Sequence, residues 1–469
     1  MARGQSLVSA YDIIVLGTGP AGYVAAIRGA QAGFKVALLG ASDLGGTCLN
    51  RGCIPTKSML HISAIYNELI HGEDLGIFAK EPTYNLAKMH KKKDNYVCCL
   101  KDGIKGLLKS NKVDVFEGFG TIIANGKVRI NNENLEISGK NIIIATGATP
   151  AIPPILGVNL PEVLTSTDML ETVPKDIKHL VIIGGGVIGV EMASVYANLG
   201  VKVSIIEAES RLLSLLDRDI SMALQRDFKQ KGVEIFVNAK VTKFTKENEK
   251  FIVHFEDKTG EHNVEACASL LSVGRKANIN NLTTEHITLE IDKGGIVVND
   301  NFRTNLSNIY AIGDCVSGNI QLAHVASANA TNVVEIIAGK TPHVDLSIVP
   351  SCIYTATEIA TVGLTLDAAK AKGHKAKTSK YLMASNGKSM LSGMGGFVKL
   401  IYDEDSLKLL GAQLFCGRAS DIISEIAVAI KAELKIEDLA SIIHPHPSFA
   451  EGVVEAAENI FGKAVHVAK

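Results

Sequence analysis

A chain of 469 residues is too long for one ordinary core and corresponds to about three domains at roughly 150 residues each. Its 48 basic and 49 acidic residues leave a net charge of −1, which excludes a polybasic nucleic-acid or membrane-surface protein, and 46% hydrophobic residues exclude a disordered chain. The 43 glycines follow no collagen period and point instead to tight turns and close backbone approach to ligands, while the absence of Trp argues against stacking platforms for single strands.

The N-terminal segment MARGQSLVSAYD has no apolar signal-peptide core, and the longest apolar stretch, Leu180 to Val190, is too short to span a bilayer. Eight cysteines are too sparse for a stapled secreted scaffold. The expectation is a soluble cytoplasmic α/β protein with no nucleic-acid or membrane partner.

Tyr11 to Gly40 reads as an apolar strand, the turn Gly17-Thr-Gly19-Pro-Ala-Gly22, a helix and a second strand. Lys178 to Glu207 repeats the order, with Gly184-Gly-Gly186-Val-Ile-Gly189 at the turn. In such a unit the first glycine turns the chain out of the strand, the second admits a pyrophosphate to the backbone, and the third lets helix and strand pack closely. The pyrophosphate then sits on the positive end of the helix. One GxGxxG is weak, since a glycine-rich turn gives it too; two, each after a strand and before a helix, predict two dinucleotides per subunit. Glu207 ends its unit where a carboxylate can accept from both ribose hydroxyls, which favours NAD, and Glu209 would repel a 2′-phosphate, although Arg211 keeps NADP as a minor option. The first unit has Gly40 at that place, so its ribose contact falls to Ser42, Asp43 or backbone.

Directly after the first unit stands Gly45-Gly46-Thr47-Cys48-Leu49-Asn50-Arg51-Gly52-Cys53-Ile54-Pro55-Thr56-Lys57. On a regular helix the two cysteines would have Cα atoms about 8.6 Å apart, beyond the ~7 Å limit of a disulfide. A segment distorted around Gly52 could hold them oxidised; two buried, unrelated thiols is the alternative. The same default, buried and unrelated, is applied to Cys98, Cys99, Cys267, Cys315, Cys352 and Cys416. Near the other end, His446 lies between Pro445 and Pro447 on a stiffened backbone, with Glu451 five residues on. Ser448 and Glu451 also read as a capping box, in which Glu451 would satisfy a helix start rather than serve the histidine.

The segment GGTCLNRGCIPTK resembles the redox-disulfide signature of the flavoprotein disulfide reductases, and most closely the branch that oxidises dihydrolipoamide. The likeness continues in order through Ala145-Thr146-Gly147, Gly274-Arg275, Thr304 to Asp314 and His444 to Glu451. It implies FAD on the first unit and NAD on the second. Carried over by position, FAD would meet Gly17, Gly19, Gly22, Lys57, Gly120, Thr146, Gly147, Ala148, Asp314 and the stretch Gln321, Leu322, Ala323 and His324. NAD would meet Gly184, Gly186, Gly189, Glu191, Glu207, Val241 and Gly274. Lys57 and Glu191 match an ion pair at the flavin's reactive edge; their bland readings are a solvated helix face and a helix N-terminal charge.

The resemblance further makes Cys48 and Cys53 the redox pair and His446 the base, charged by Glu451 and entering the disulfide site of a second subunit. A homodimer and a lipoyl-bearing carrier domain of a 2-oxo acid dehydrogenase or glycine cleavage complex are then the implied partners; no metal is. The expected fold is two Rossmann-like dinucleotide-binding domains with a C-terminal α+β dimerisation domain, divided at 1–149 (FAD), 150–273 (NAD), 274–345 (completing the FAD domain) and 346–469 (interface). The sequence departs from the family at Gly40, normally Glu, and at Ala277-Asn278, normally Pro–Asn. Glutathione-type reductases, mercuric reductases and a redox-inactive nucleotide-binding subunit are the alternatives. Glu207 opposes the first of these, the lack of any Cys after Cys416 the second, and the intact thiol–histidine set the third.

Overall fold

The structure is a computed structural model, in which residues 10–131, 135–173 and 177–467 are described. The unbroken apolar run of the first unit becomes the strand Ala10–Leu16, in which Ile13, Ile14 and Val15 are fully buried. A strand covered on both faces has no reason to alternate, and this is the signature of a parallel sheet between helices. The strand lies between Val36–Leu39 and Leu135–Ile144, parallel to both, with Ile13 opposite Val36 on one side and Asn141 on the other. Asp114–Phe116 extends one edge, and the antiparallel pair Lys127–Ile130 and Gly120–Ala124 the other. A strand from much later in the chain, Ile309–Ala311, pairs in parallel with Leu135–Ile144 and returns the chain to the first unit just before Asp314.

The second unit builds an all-parallel sheet in the order Glu234–Val237, Lys202–Glu207, His179–Ile183, Ala268–Leu271, Val163–Thr165. Three antiparallel strands spanning Lys240 to Ala266 flank it. The C-terminal part is an antiparallel five-stranded sheet, with Phe397–Asp403 buried along its whole length and the helices Ala419–Lys431 and Glu451–Asn459 packed on it. The fold is therefore the expected pair of Rossmann-like units and an α+β C-terminal part. Among the described residues no helix is long and apolar enough to cross a membrane.

The helix that follows the cysteines, Cys53–Ile70, shares one core with Val187–Asn198 of the second unit, through Met59, Val190, Met192 and Tyr196. That packing brings residue 57 of one unit to residue 191 of the other. It fixes the site.

Candidate active site

Each glycine turn leaves its strand at a glycine with positive φ, +109° at Gly17 and +100° at Gly184. A Cβ on either would lie 2.3 Å from the Ala145 oxygen or 2.6 Å from the Ser272 oxygen. A Cβ on the third glycine would lie 1.8 Å (Gly22) or 2.1 Å (Gly189) from the carbonyl oxygen of the first. The middle glycines differ: nothing lies within 4 Å of a Cβ at Gly186, and the nearest atom at Gly19 is the Gly46 Cα at 3.8 Å. The fold itself needs the outer glycines and leaves space at the middle one, at the N-cap of the helices Pro20–Gln31 and Val187–Asn198. Amides without side-chain caps facing open space suit a pyrophosphate. Both units fit a dinucleotide.

At the strand ends the units part. Glu207 accepts from the Gly185 amide at 2.5 Å and from the Glu209 amide at 2.7 Å, one on each oxygen. A carboxylate has about four acceptor sites, so ribose hydroxyls can still be taken. Arg211 is turned away, its guanidinium donating to the carbonyls of Ser214 and Leu216, which removes the one cation that kept NADP open. Gly40 has φ +103°. The Thr18 hydroxyl donates to the carbonyls of Gly40 and Asp43, at 3.0 and 2.9 Å. The Asp43 carboxylate is gripped on both oxygens by Arg51, which also reaches Glu171 at 2.8 Å. Of the positions expected to replace the missing carboxylate, Asp43 is tied to Arg51 but keeps acceptor sites as Glu207 does, and the Ser42 hydroxyl lies 3.5 Å from the Glu117 carbonyl oxygen.

The helix Gly46–Arg51 stops at Gly52 and a new one starts at Cys53. A Cβ on Gly52 would be 2.9 Å from the Thr47 carbonyl oxygen. The break brings the Cα atoms of Cys48 and Cys53 to 4.7 Å, and the two form a disulfide. Gly46 backs onto Gly19, where a Cβ would sit 2.5 Å from the Gly19 Cα. The disulfide helix thus begins against the first glycine turn.

Lys57 Nζ lies 2.8 Å from both oxygens of Glu191, a buried residue that also accepts from the Tyr354 amide at 3.0 Å. The ammonium also sits 4.6 Å from the centroid of the Tyr354 ring. The bland readings fall: Lys57 is not a solvated face, and Glu191 is not a first-turn charge. Tyr354 had no sequence signal.

Asp314 sits on a short 3-10 turn that follows Ile309–Ala311. Asn329 accepts from the Gly313 amide, and Asn319 donates both to the Gly313 carbonyl and to Asn329. Burial pushes the Asp314 carboxyl above the ordinary range, with Arg275 opposing. Arg275 itself donates to the Ala148 carbonyl and to Thr47 Oγ1, beside Cys48. Asn278 ties Thr146 and Gly147 to the turn after Gly274, which has φ +114°. The Ala277 departure is harmless there, since Ala277 pairs with Ala148 in a two-stranded ladder. A half-buried acceptor beside a glycine cradle suits a polyol chain, and FAD fits. Leu322 is the N-cap of Ala323–Ile337, and His324 Nε2 lies 2.8 Å from the Pro350 carbonyl oxygen.

At two expected contacts local packing accounts for the residue. Gly120 is closed in by Leu16, Leu39 and Val128, each 2.7 Å from where its Cβ would be, so packing already accounts for the glycine. The Val241 side chain is buried in a core with Phe244 and Phe255, leaving only main chain for a cofactor. The cysteine default holds for Cys315 and Cys416, which are buried; it is wrong for Cys98, Cys99 and Cys267, which are exposed.

His446 Nδ1 lies 2.8 Å from Glu451 Oε1, while Glu451 Oε2 accepts from the Ser448 amide at 2.8 Å. The two roles set against each other in the sequence are divided between the two oxygens of one carboxylate. The capping box is only half made, since the Ser448 hydroxyl is buried without a partner. Burial would raise the Glu451 carboxyl, but the Ser448 amide and His446 outweigh it and hold it below the usual range. The His446 side chain is 77% exposed, whereas His444 is buried against Glu425 at 2.8 Å. His446 is the one presented outward.

Comparison with known proteins gives a consistent picture. Residues 11–330 match the family model "Pyridine nucleotide-disulphide oxidoreductase", and residues 349–457 match its dimerisation domain. A dihydrolipoyl dehydrogenase of Bacillus subtilis is 38% identical over 98% of this chain and 100% of its own length. One of Staphylococcus aureus is 40% identical over 97% of each chain. Among solved structures, LpdA of Mycobacterium tuberculosis superposes with a TM-score of 0.88 at 26% identity, covering 97% of this chain and 100% of that one. The HOCl-induced flavoprotein disulfide reductase RclA of Escherichia coli reaches 0.85 at 29%, covering 96% and 99%.

Proposed function

The chain belongs to the pyridine nucleotide-disulphide oxidoreductase family, FAD- and NAD-dependent enzymes with a C-terminal dimerisation domain, and from that premise we propose that it oxidises dihydrolipoyl groups carried by a partner protein. The observation that supports this most is the Cys48–Cys53 bond, formed across a helix break against the first glycine turn.

In this reading His446, oriented and charged by Glu451, takes a proton from one thiol of the substrate. Imidazole suits the task because its ordinary pKa of ~6.5 lies near working pH. The substrate thiolate attacks the Cys48 sulfur, the Cys48–Cys53 bond breaks, and Cys53 leaves as a thiolate. The second substrate thiol then displaces Cys48, so the substrate leaves as its cyclic disulfide with two electrons fewer, and the cysteine pair holds them. FAD held on the first unit would supply the two-electron carrier between the cysteine pair and NAD. Lys57 and Glu191, paired at 2.8 Å, would place a charge pair at the flavin edge, Asp314 would hold the ribityl chain, and Glu207 the NAD ribose. Because His446 faces away from its own subunit, it would serve the disulfide of a second copy, and the homodimer is the working unit. The lipoyl carrier would belong to a 2-oxo acid dehydrogenase or glycine cleavage complex of the cytoplasm, and the segments 1–149, 150–273, 274–345 and 346–469 would be the functional divisions of the chain.

The test is substrate profiling of the purified flavoprotein against dihydrolipoamide, glutathione and mercuric ion with both nicotinamides. Dihydrolipoamide with NAD should be the productive pair, and Cys48→Ser or Cys53→Ser should abolish it while the flavin band remains. Turnover with either serine variant would overturn the scheme.

A further inference from the structure

The helix Glu451–Asn459 carries two carboxylates one turn apart, and each holds an imidazole. Glu451 has His446. Glu455 has His466, from the segment after the helix, with Nδ1 2.6 Å from Oε1 and the main-chain N–H donating to Oε2 at 3.2 Å. This tail is anchored, because Ile460, Phe461 and Val467 pack against the C-terminal core. The Glu455 side chain is only 12% exposed, whereas the His466 side chain is 63% exposed. A mostly enclosed carboxylate is therefore paired with an imidazole from outside the helix.

Residues four apart on a helix face each other, and like charges there repel. Glu455 thus acts on Glu451, and through it on His446, unless its charge is cancelled. His466 also reaches Glu451 directly and lowers its carboxyl, and among the described residues a further titratable group against this face is Tyr381, on the strand Ala376–Leu382. Its phenol is pushed up to about 12, first by burial and then by Glu455 and Glu451, so it stays neutral and cancels nothing. Glu455, mainly by its hydrogen bond, raises the pKa of the His466 ring.

We propose that His466 is a positioning residue for the proton acceptor: as an imidazolium it neutralises Glu455, so that His446 feels one carboxylate rather than two. The inference rests on the reading of His446 as the base. A tail that only tied down the helix end would affect stability and leave the ionisation of His446 alone.

The experiment follows kcat/KM for dihydrolipoamide against pH in the dimeric holoenzyme, together with the ring titration of His446 by carbon-13 NMR, assigned through His446→Gln. In His466→Gln the limb that rises with pH, and the ring titration with it, should move up by about 0.5 of a pH unit, the size expected of one charge at this range in a partly exposed site. Glu455→Gln should move both down, and the double variant should return them towards the parent. The NMR titration reads the effect even where a variant turns over poorly. A limb that persists in His446→Gln would refute the base assignment. A limb lost in His446→Gln but unmoved in His466→Gln, with the ring titration also unmoved, would overturn the tuning role.

Discussion

The two glycine-rich units are built on one skeleton and solve the end of their second strand in opposite ways. The close approaches made by the outer glycines agree to within a few tenths of an ångström, because strand, turn and helix meet identically in both. At the strand end the second unit uses a carboxylate, and Glu207 braces its own glycine loop through the Gly185 amide before any ribose arrives. The first unit does this bracing with a hydroxyl, Thr18, and with the Arg51 ion pair to Asp43. Arg51 is the last residue of the helix that carries Cys48. Where the second unit has a carboxylate at its strand end, the first has a mechanical link between its nucleotide loop and the disulfide helix.

The comparison breaks most severely at the third glycines. Gly22→Ala would put a methyl 1.8 Å from the Gly17 carbonyl oxygen, and backbone cannot yield that far without losing the turn. The purified variant should lack the flavin absorbance altogether. Gly189→Ala, at 2.1 Å in the second unit, should stay yellow and keep dithiol-dependent flavin reduction while losing reduction of NAD. Gly19→Ala sharpens the contrast: its methyl has room in the protein alone, so the thermal midpoint without flavin should hold while flavin affinity falls. A Gly189→Ala variant with normal NAD turnover would show that the repeat is structural only.

A middle-sized effect is expected at Glu207. Glu207→Ala strands the Gly185 and Glu209 amides and removes the ribose acceptor. Charged hydrogen bonds of this kind contribute about 1.5–3 kcal/mol, or roughly 10- to 100-fold in the KM for NAD. Flavin content and the dithiol half-reaction should be untouched. Since Arg211 is engaged with carbonyl oxygens, the loss should bring no gain with NADP, which steady-state kinetics with both nicotinamides would check.

What the sequence disclosed follows the range of the interaction. The repeat was legible from the residues themselves, whereas the disulfide and the His446–Glu451 couple, though each lies within a short segment, were settled only by the family resemblance and otherwise stood open against unrelated thiols and a helix cap. Lys57 and Glu191 were also legible as a resemblance, but with no local trace at all, since their contact depends on two helices sharing a core. Tyr354 and the contacts of Arg275 escaped for the same reason, as their partners lie far along the chain, while the Asn319–Asn329 pair is local but depends on how the turn after Asp314 meets the next helix. The exposure of Cys98 and Cys99 was misjudged because the long helix Leu86–Ser110 buries few of its own residues. Val241 and Gly120 show the converse, where core packing explains the residue, by a buried side chain at Val241 and by the side chains that crowd against Gly120.

The smallest and sharpest test lies at residue 40. By family pattern alone, introducing Glu there should restore a ribose acceptor and tighten FAD. The backbone argues otherwise. Gly40 sits at φ +103°, where an L-residue is strained by about 1–2 kcal/mol, and a Cβ would lie 3.6 Å from the Phe119 ring, an ordinary contact that offers no relief. The loop is also held at both its carbonyls by Thr18, so it cannot simply relax to negative φ without releasing Asp43 and, through Arg51, the disulfide helix. Gly40→Glu is therefore expected to weaken FAD by several-fold in a flavin-release titration. Tyr11 and Phe116, which flank the sheet here, should keep the fold intact. Pairing Gly40→Glu with Thr18→Ala separates the causes. If the bracing argument is right, freeing the loop should recover part of the lost affinity; if the double variant is weaker than either single one, the hydroxyl and the carboxylate act on FAD independently, and the two units differ only in which residue touches the ribose.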